Sequence, residues 1–383
     1  MPDFLRQVET RLATLVALPS VSCVDRARDM SNLAVVDTLC QWYADAGFAI
    51  ERQAVASAPA KVNMIARLGQ GSGGLVLSGH TDTVPYDAGR WASDPFTLSE
   101  RAGRWYGLGS ADMKCFFPVV LAALDGLAPA RLRAPVIVLA TADEESTMAG
   151  ARALSAADLG RQAIIGEPTE LIPVRKHKGI IIGRVEVSGR SGHSSNPALG
   201  ASALDCMHDI LSAFKRWRAT AASAHRDGDF KVPIPTMNFG SITGGDSPNR
   251  ICASCELLFD VRLLPGMDTA STLRELDALV AECATATGVS ASLTLPMQPL
   301  LPLETARNAA IVRAAEEFTG TSSAAVAFAT EAPFFSALGC ATVILGPGSI
   351  DSAHQPNEFV EIAQVTRMIP ILRALIERFC CNA

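Results

Sequence analysis

The sequence predicts an α/β protein: a mostly parallel, mixed sheet flanked by helices, with a smaller α+β unit inserted into it. Three observations carry that expectation. Short apolar runs alternate with helix-length segments of 3.6-residue periodicity through the first half of the chain, the pattern of a parallel sheet covered on both faces. From Gly179 the order becomes strand, helix, strand, strand, helix, strand, which is that of a ferredoxin-like unit. The length of 383 residues exceeds what one ordinary core serves, so two domains are expected. The expected division is 1–178, an insert over 179–295, and a return to the first domain over 296–383.

Residues 3–18 place Leu5, Val8, Leu12, Leu15 and Leu18 on one helical face, and Pro19 stops the helix. A second helix over 31–46 ends at Gly47, a suitable cap. Strands follow at 49–53 and 63–67. The run Leu75-Val76-Leu77 then ends in Ser78-Gly79-His80-Thr81-Asp82. Residues 86–109 read as irregular, and a helix follows over 116–127. The apolar run from Pro135 ends in Asp143-Glu144-Glu145, a helix is expected over 149–157, and Ala163-Ile164-Ile165 leads to Glu167. Within the insert, strands are expected at 180–188, 236–242, 251–263 and 290–295, helices at 201–217 and 270–287, and a mobile loop at 219–229. The last part reads as a helix over 308–319, a strand over 342–345 and a helix over 363–379.

The composition, 49% hydrophobic and 19% charged, is that of a soluble globular protein. A net charge of −6 argues against nucleic acid or an anionic membrane as partner. No uncharged apolar run reaches the ~18 residues that a membrane span needs. Asp3, Arg6, Glu9 and Arg11 interrupt any signal-peptide core, so a cytoplasmic protein is expected. The ten cysteines are scattered, and only Cys252 and Cys255 have redox- or zinc-type spacing. On a strand those two would face opposite ways, so buried thiols are expected.

Strand ends are where open α/β sheets gather their functional groups. His80, Asp112, Glu144, Glu145 and Glu167 are expected at such ends, and His354 comes late in the chain. Several carboxylates converging on one sheet edge repel each other unless cations neutralise them. Nitrogen and oxygen donors without thiolates suit zinc, and also cobalt or manganese.

The motifs Gly79-His-Thr-Asp-Thr83, Gly109-Ser-Ala-Asp-Met-Lys114, Asp143-Glu-Glu145, Gly166-Glu-Pro-Thr169, Ser191-Gly-His-Ser-Ser195 and Ala353-His-Gln-Pro-Asn-Glu358 together resemble the M20 metallopeptidase family in its deacylase branch. The likeness covers nearly the whole chain, with Cys115 a departure from the usual glycine. It implies two zinc ions per subunit, for which Co2+ can substitute. By the resemblance Asp112 bridges both ions, His80 and Glu167 hold one, and Glu145 and His354 hold the other. Asp82 would orient the His80 ring, and Glu144 would be the general base. The insert would be a lid and dimerisation domain. His193 would reach a partner's site in a homodimer and donate to the oxyanion, while Asn249 and Arg262 would hold the substrate's α-carboxylate, a structural ion pair being the alternative role for Arg262. The implied reaction is hydrolysis of a small N-acylated amino acid. N2-acetyl-L-ornithine is the expected substrate, and N-succinyl or other N-acyl amino acids are the alternatives. Glu331 is a further acid that would suit a cationic substrate side chain.

Overall fold

The computed structural model describes residues 2–56 and 59–381. It divides into two compact units, the first comprising 1–175, 305–324 and 330–383, the second 176–304 and 325–329. The return to the first unit therefore comes at Thr305, later than position 296 expected from sequence.

The first unit is built on a mixed sheet. Six of its nine strands among the described residues run in the order Ala49–Val55, Lys61–Leu68, Val136–Thr141, Leu75–His80, Gln162–Ile165 and Ala341–Ile344. The last four are mutually parallel, and the first two pair antiparallel to their neighbours. Every residue of Leu75–His80 and of Val136–Thr141 is buried, so both faces of the central strands are covered. That is why these strands read as unbroken apolar runs. Helices Asp3–Val16, Leu33–Asp45, Phe116–Leu124, Ala310–Thr319 and Ile362–Cys380 contribute to the core beside the sheet. The first buries Leu5, Val8, Leu12 and Leu15. Truncating one such fully buried leucine to alanine costs about 2–5 kcal/mol.

Residues 86–109 hold more structure than expected. Ser99–Arg101 and Arg104–Tyr106 form a hairpin, and Phe359–Glu361 adds a third antiparallel strand, pairing Phe359 with Tyr106 and Glu361 with Arg104. Strands of three residues show no readable alternation. The helix expected over 149–157 is also broken. Ala149–Arg152 is one short turn, and Ser155 starts a separate 3-10 turn through a reciprocal cap with Asp158.

The second unit is a four-stranded antiparallel sheet in the order Thr236–Gly244, Ser254–Leu263, Gly179–Ser188, Ser290–Thr294. With helices Ala203–Ala224 and Thr269–Thr287 this is the ferredoxin-like arrangement. Burial alternates along Gly179–Ser188 and Ser254–Leu263, as a sheet with one packed face requires. The Ser202 hydroxyl caps the first helix and the Asp268 carboxylate the second. The first helix continues to Ala224, through part of the stretch expected to be a mobile loop. All ten cysteines are free, and both Cys252 and Cys255 are buried.

Candidate active site

The parallel strands deliver their last residues to one edge of the first unit's sheet. His80 ends Leu75–His80, Glu144 and Glu145 follow Val136–Thr141, and Glu167 follows Gln162–Ile165. Glycine is required at Gly166, because a Cβ there would lie 2.2 Å from the Phe116 ring. Asp112 does not sit at a strand end as expected. It lies in the turn before helix Phe116–Leu124. His354 lies in the irregular segment before Phe359–Glu361.

These side chains form two ligand groups that share one residue. His80, Asp112 and Glu167 make one, and Asp112, Glu145 and His354 the other, with the ligand atoms of each group within 4.8 Å of one another. The His80 Nε2 lies 2.9 Å from Asp112 Oδ1 and 3.8 Å from Glu167 Oε1. The His354 Nε2 lies 3.0 Å from Glu145 Oε1 and 3.3 Å from Asp112 Oδ2.

The tautomer of His80 tests whether a cation fits. Its Nδ1 is 2.9 Å from the backbone carbonyl of Asp82, an acceptor only, so Nδ1 carries the hydrogen. In the neutral ring, Nε2 is then a lone pair aimed at two carboxylates. Such a set of acceptors is satisfied by a second ring proton or by a metal ion. Burial disfavours the imidazolium, yet the Asp112 hydrogen bond and the charges of Glu167, Asp112 and Asp82 raise the His80 pKa well above its usual value. At His354 the bonds to Asp112 and Glu145 raise it to about 10. Burial opposes ionisation of Asp112, but bonds from His354 and His80 hold its carboxyl below the usual range. Burial raises Glu144, Glu145 and Glu167, and neighbouring carboxylates push each of them further the same way. Every one of these shifts except that of Asp112 favours a bound proton, the response of crowded carboxylates to a place where a cation would sit.

The Asp82 side chain is placed differently from the simple picture of an acid bonded to the ring. Its Oδ2 accepts the Glu145 backbone N–H at 3.0 Å, and its Oδ1 stands 3.9 Å from His80 Nδ1. The turn carrying Glu144 and Glu145 is also tied down. Asp143 has a φ of 59°, its carbonyl accepts the N–H groups of Ser146, Thr147 and Met148, and its carboxylate takes Lys61 Nζ at 2.6 Å and Ser22 Oγ at 2.8 Å.

The profile of Peptidase family M20/M25/M40 matches residues 76–378. The chain belongs to that family. As an M20 protein it is a metal-dependent hydrolase. The acetylornithine deacetylase of Proteus mirabilis is 45% identical to it over 374 residues, 96% of this chain and 95% of the relative. The acetylornithine deacetylase of Pectobacterium atrosepticum is 45% identical over 372 residues, 96% of each. Among solved structures, a tripeptidase of Staphylococcus aureus shares the fold, with a TM-score of 0.77, 18% identity and 98% of each chain covered. So does a dinuclear metal-binding M20 peptidase of Bacillus subtilis, with a TM-score of 0.65, 14% identity and 97% of each chain covered.

Three expected site residues of this M20 chain belong to its second unit. His193 is exposed, its Nδ1 2.8 Å from Ser195 Oγ, and it forms a β-bridge with Arg250. Asn249 is on that same neighbouring segment, where its carbonyl accepts the Ser194 N–H. Arg262 donates from Nε to Asp260 Oδ1 at 3.0 Å, on its own strand. Glu331 is not open to a substrate. It is 1% exposed, and it accepts the Ser78 hydroxyl at 2.6 Å and the Thr141 hydroxyl at 2.7 Å, so it ties together two strands of the site. Lys61 and Glu358 were not singled out from sequence. A lone lysine in a strand gives no signal, whereas Glu358 closes a motif whose chemistry is carried by His354.

Proposed function

We propose that this chain hydrolyses N2-acetyl-L-ornithine to L-ornithine and acetate, a step toward arginine, in the cytoplasm. The observation that carries the reading is the pair of ligand groups sharing Asp112 with buried Glu144 beside them. The 45% identity to acetylornithine deacetylases along almost the whole chain supports the choice of substrate.

Two Zn2+ ions suit these donors, with Co2+ able to substitute. Bound ions of this kind polarise an amide carbonyl and acidify water. His80 and Glu167 would hold one, Glu145 and His354 the other, and Asp112 would serve both. Asp82 steadies this set by fixing the Glu145 backbone and placing its charge near the His80 ring. Glu144 takes the proton from the attacking water and passes it to the departing amine. Burial raises its pKa, which suits a group that must both accept and return a proton. The second unit acts as lid and dimerisation domain. In a homodimer its His193 donates to the oxyanion in the partner's site, and Asn249 and Arg262 hold the α-carboxylate of the small N-acylated substrate. No nucleic acid or membrane enters this reading, and no helix among the described residues is long and apolar enough to cross a membrane.

The test is a comparison of kcat/KM on N2-acetyl-L-ornithine, N-acetyl-L-methionine and N-succinyl-diaminopimelate with the Zn2+- and Co2+-loaded protein. Acetylornithine is expected to lead. A clear lead for either of the others overturns the substrate assignment and leaves the hydrolase class intact.

A further inference from the structure

We infer that Glu358 is the positioning residue that sets the shared ligand Asp112, and so couples the two ligand groups. The inference rests on the dimetal reading above. Glu358 is 2% exposed, and both its carboxylate oxygens are spent on the backbone of the Asp112 turn. Gly109 N–H donates to Oε2 at 2.9 Å, and Ala111 and Asp112 N–H donate to Oε1 at 2.8 and 3.0 Å. The backbone carbonyl of Glu358 also accepts the Gly107 N–H at 3.1 Å. Gly109 has a φ of 77°, and a Cβ there would meet Thr83 Cγ2 at 2.9 Å, so the turn closes around the carboxylate only with glycine at that point.

The origin of this clamp lies in the small three-stranded sheet. Phe359–Glu361 pairs with Arg104–Tyr106, which brings the residue just before it to the turn that follows Tyr106. The same short segment, 354–358, thus supplies a ligand of one group through His354 and a hold on the ligand common to both.

Fold stability alone does not call for a negative charge here. A buried carboxylate among other carboxylates is costly. The Lys114 side chain does not pair with it: its Nζ donates to the Leu15 and Leu18 carbonyls instead. What a carboxylate supplies and an amide does not is two acceptor oxygens, one for Gly109 and one for Ala111 and Asp112. With all three N–H groups fixed, the Asp112 side chain leaves a rigid turn and can face His80 and His354 together. Loss of such an outer contact lowers metal affinity by about 10–100-fold in general.

Glu358→Gln and Glu358→Asp, stripped of metal, are to be titrated calorimetrically with Zn2+ beside the unaltered protein. Their dicobalt forms are to be compared by visible absorption, and melting temperatures recorded without metal. The expected result is a metal-free melting temperature close to that of the unaltered protein, at least tenfold weaker binding in Glu358→Gln, and altered cobalt bands. Unchanged affinity and bands in a folded Glu358→Gln overturn the inference. Failure of both variants to fold overturns it too, since it assigns Glu358 to folding. If the unaltered protein takes up fewer than two ions, the dimetal reading itself falls.

Discussion

The Asp82 carboxylate accepts the backbone N–H of Glu145 at 3.0 Å, so the segment after one ligand-bearing strand holds the segment after the next. Two substitutions separate this bond from the carboxylate's charge. Asp82→Asn keeps an oxygen for the Glu145 N–H and loses the charge near His80; Asp82→Ala loses both. The expected outcome is a fall in kcat/KM of about 10–100-fold for Asp82→Asn, with a larger loss and weaker metal retention for Asp82→Ala. Kinetics and metal content after dialysis check this, and identical behaviour of the two variants would remove the bond to Glu145 from the account.

Glu144→Gln leaves every ligand in place and removes the proton carrier. Turnover is expected to drop by about 10²–10⁴-fold with metal content unchanged. Near-normal turnover in that variant would mean that another group moves the proton.

Removing metal leaves the buried acids of the site facing one another. Chelation is therefore expected to lower the melting temperature, and added Zn2+ to restore it. An ion at about 100 times its Kd contributes about 2.7 kcal/mol when only the folded state binds it. His80→Ala should respond far less to added Zn2+. Calorimetric scans at several Zn2+ concentrations settle it; a melting temperature indifferent to metal in the unaltered protein would count against the site.

His177 gives a pH dependence away from the metal ligands. It is fully buried in the second unit, its Nδ1 bonds the Lys178 carbonyl at 2.9 Å, and its Nε2 has no hydrogen-bond partner among the described residues. Burial lowers its pKa from 6.5 to about 4. The unfolded chain therefore binds a proton at higher pH than the folded one does. The neutral ring's contribution is full above pH ~6.5 and is lost as pH falls toward 4, on the order of 3 kcal/mol in all. Replacing His177 with leucine should flatten the decline of stability between pH 6.5 and 4 in denaturant titrations. An unchanged slope would show that the ring gains a partner on protonation.

A shared site also makes a claim about mixtures. Protomers carrying His193→Ala and protomers carrying Glu144→Ala are each expected to be nearly inactive, and mixed dimers to recover part of the rate. No recovery after verified subunit exchange would exclude a contribution across the dimer.

Much of this was legible in the sequence because the chemistry sits where the pattern breaks. Unbroken apolar runs ending in His80, Glu144–Glu145 and Glu167 mark both the central strands and the edge at which ligands collect. The second unit was legible for a similar reason: its strands and helices are long enough to show their period. What stayed hidden depends on which atom meets which. Glu331 reads as an available acid and is instead buried and bonded to Ser78 and Thr141. Lys61 reads as a strand lysine and instead holds Asp143. The hairpin before Asp112 was missed because three-residue strands draw their definition from pairing with Phe359–Glu361, which lies about 250 residues away.

The position of His354 also bears on how the protein is made. It stands 209 residues beyond Glu145, its partner in the second ligand group. On the ribosome the strands bearing His80, Glu145 and Glu167 emerge well before that imidazole does. Until His354 is made, His80 is the one basic ligand available to those carboxylates. A chain interrupted before His354 would lack that histidine and also Glu358, which holds the turn of the ligand common to both groups. Competence at both ligand groups is thus acquired late in synthesis, and fragments released earlier lack it.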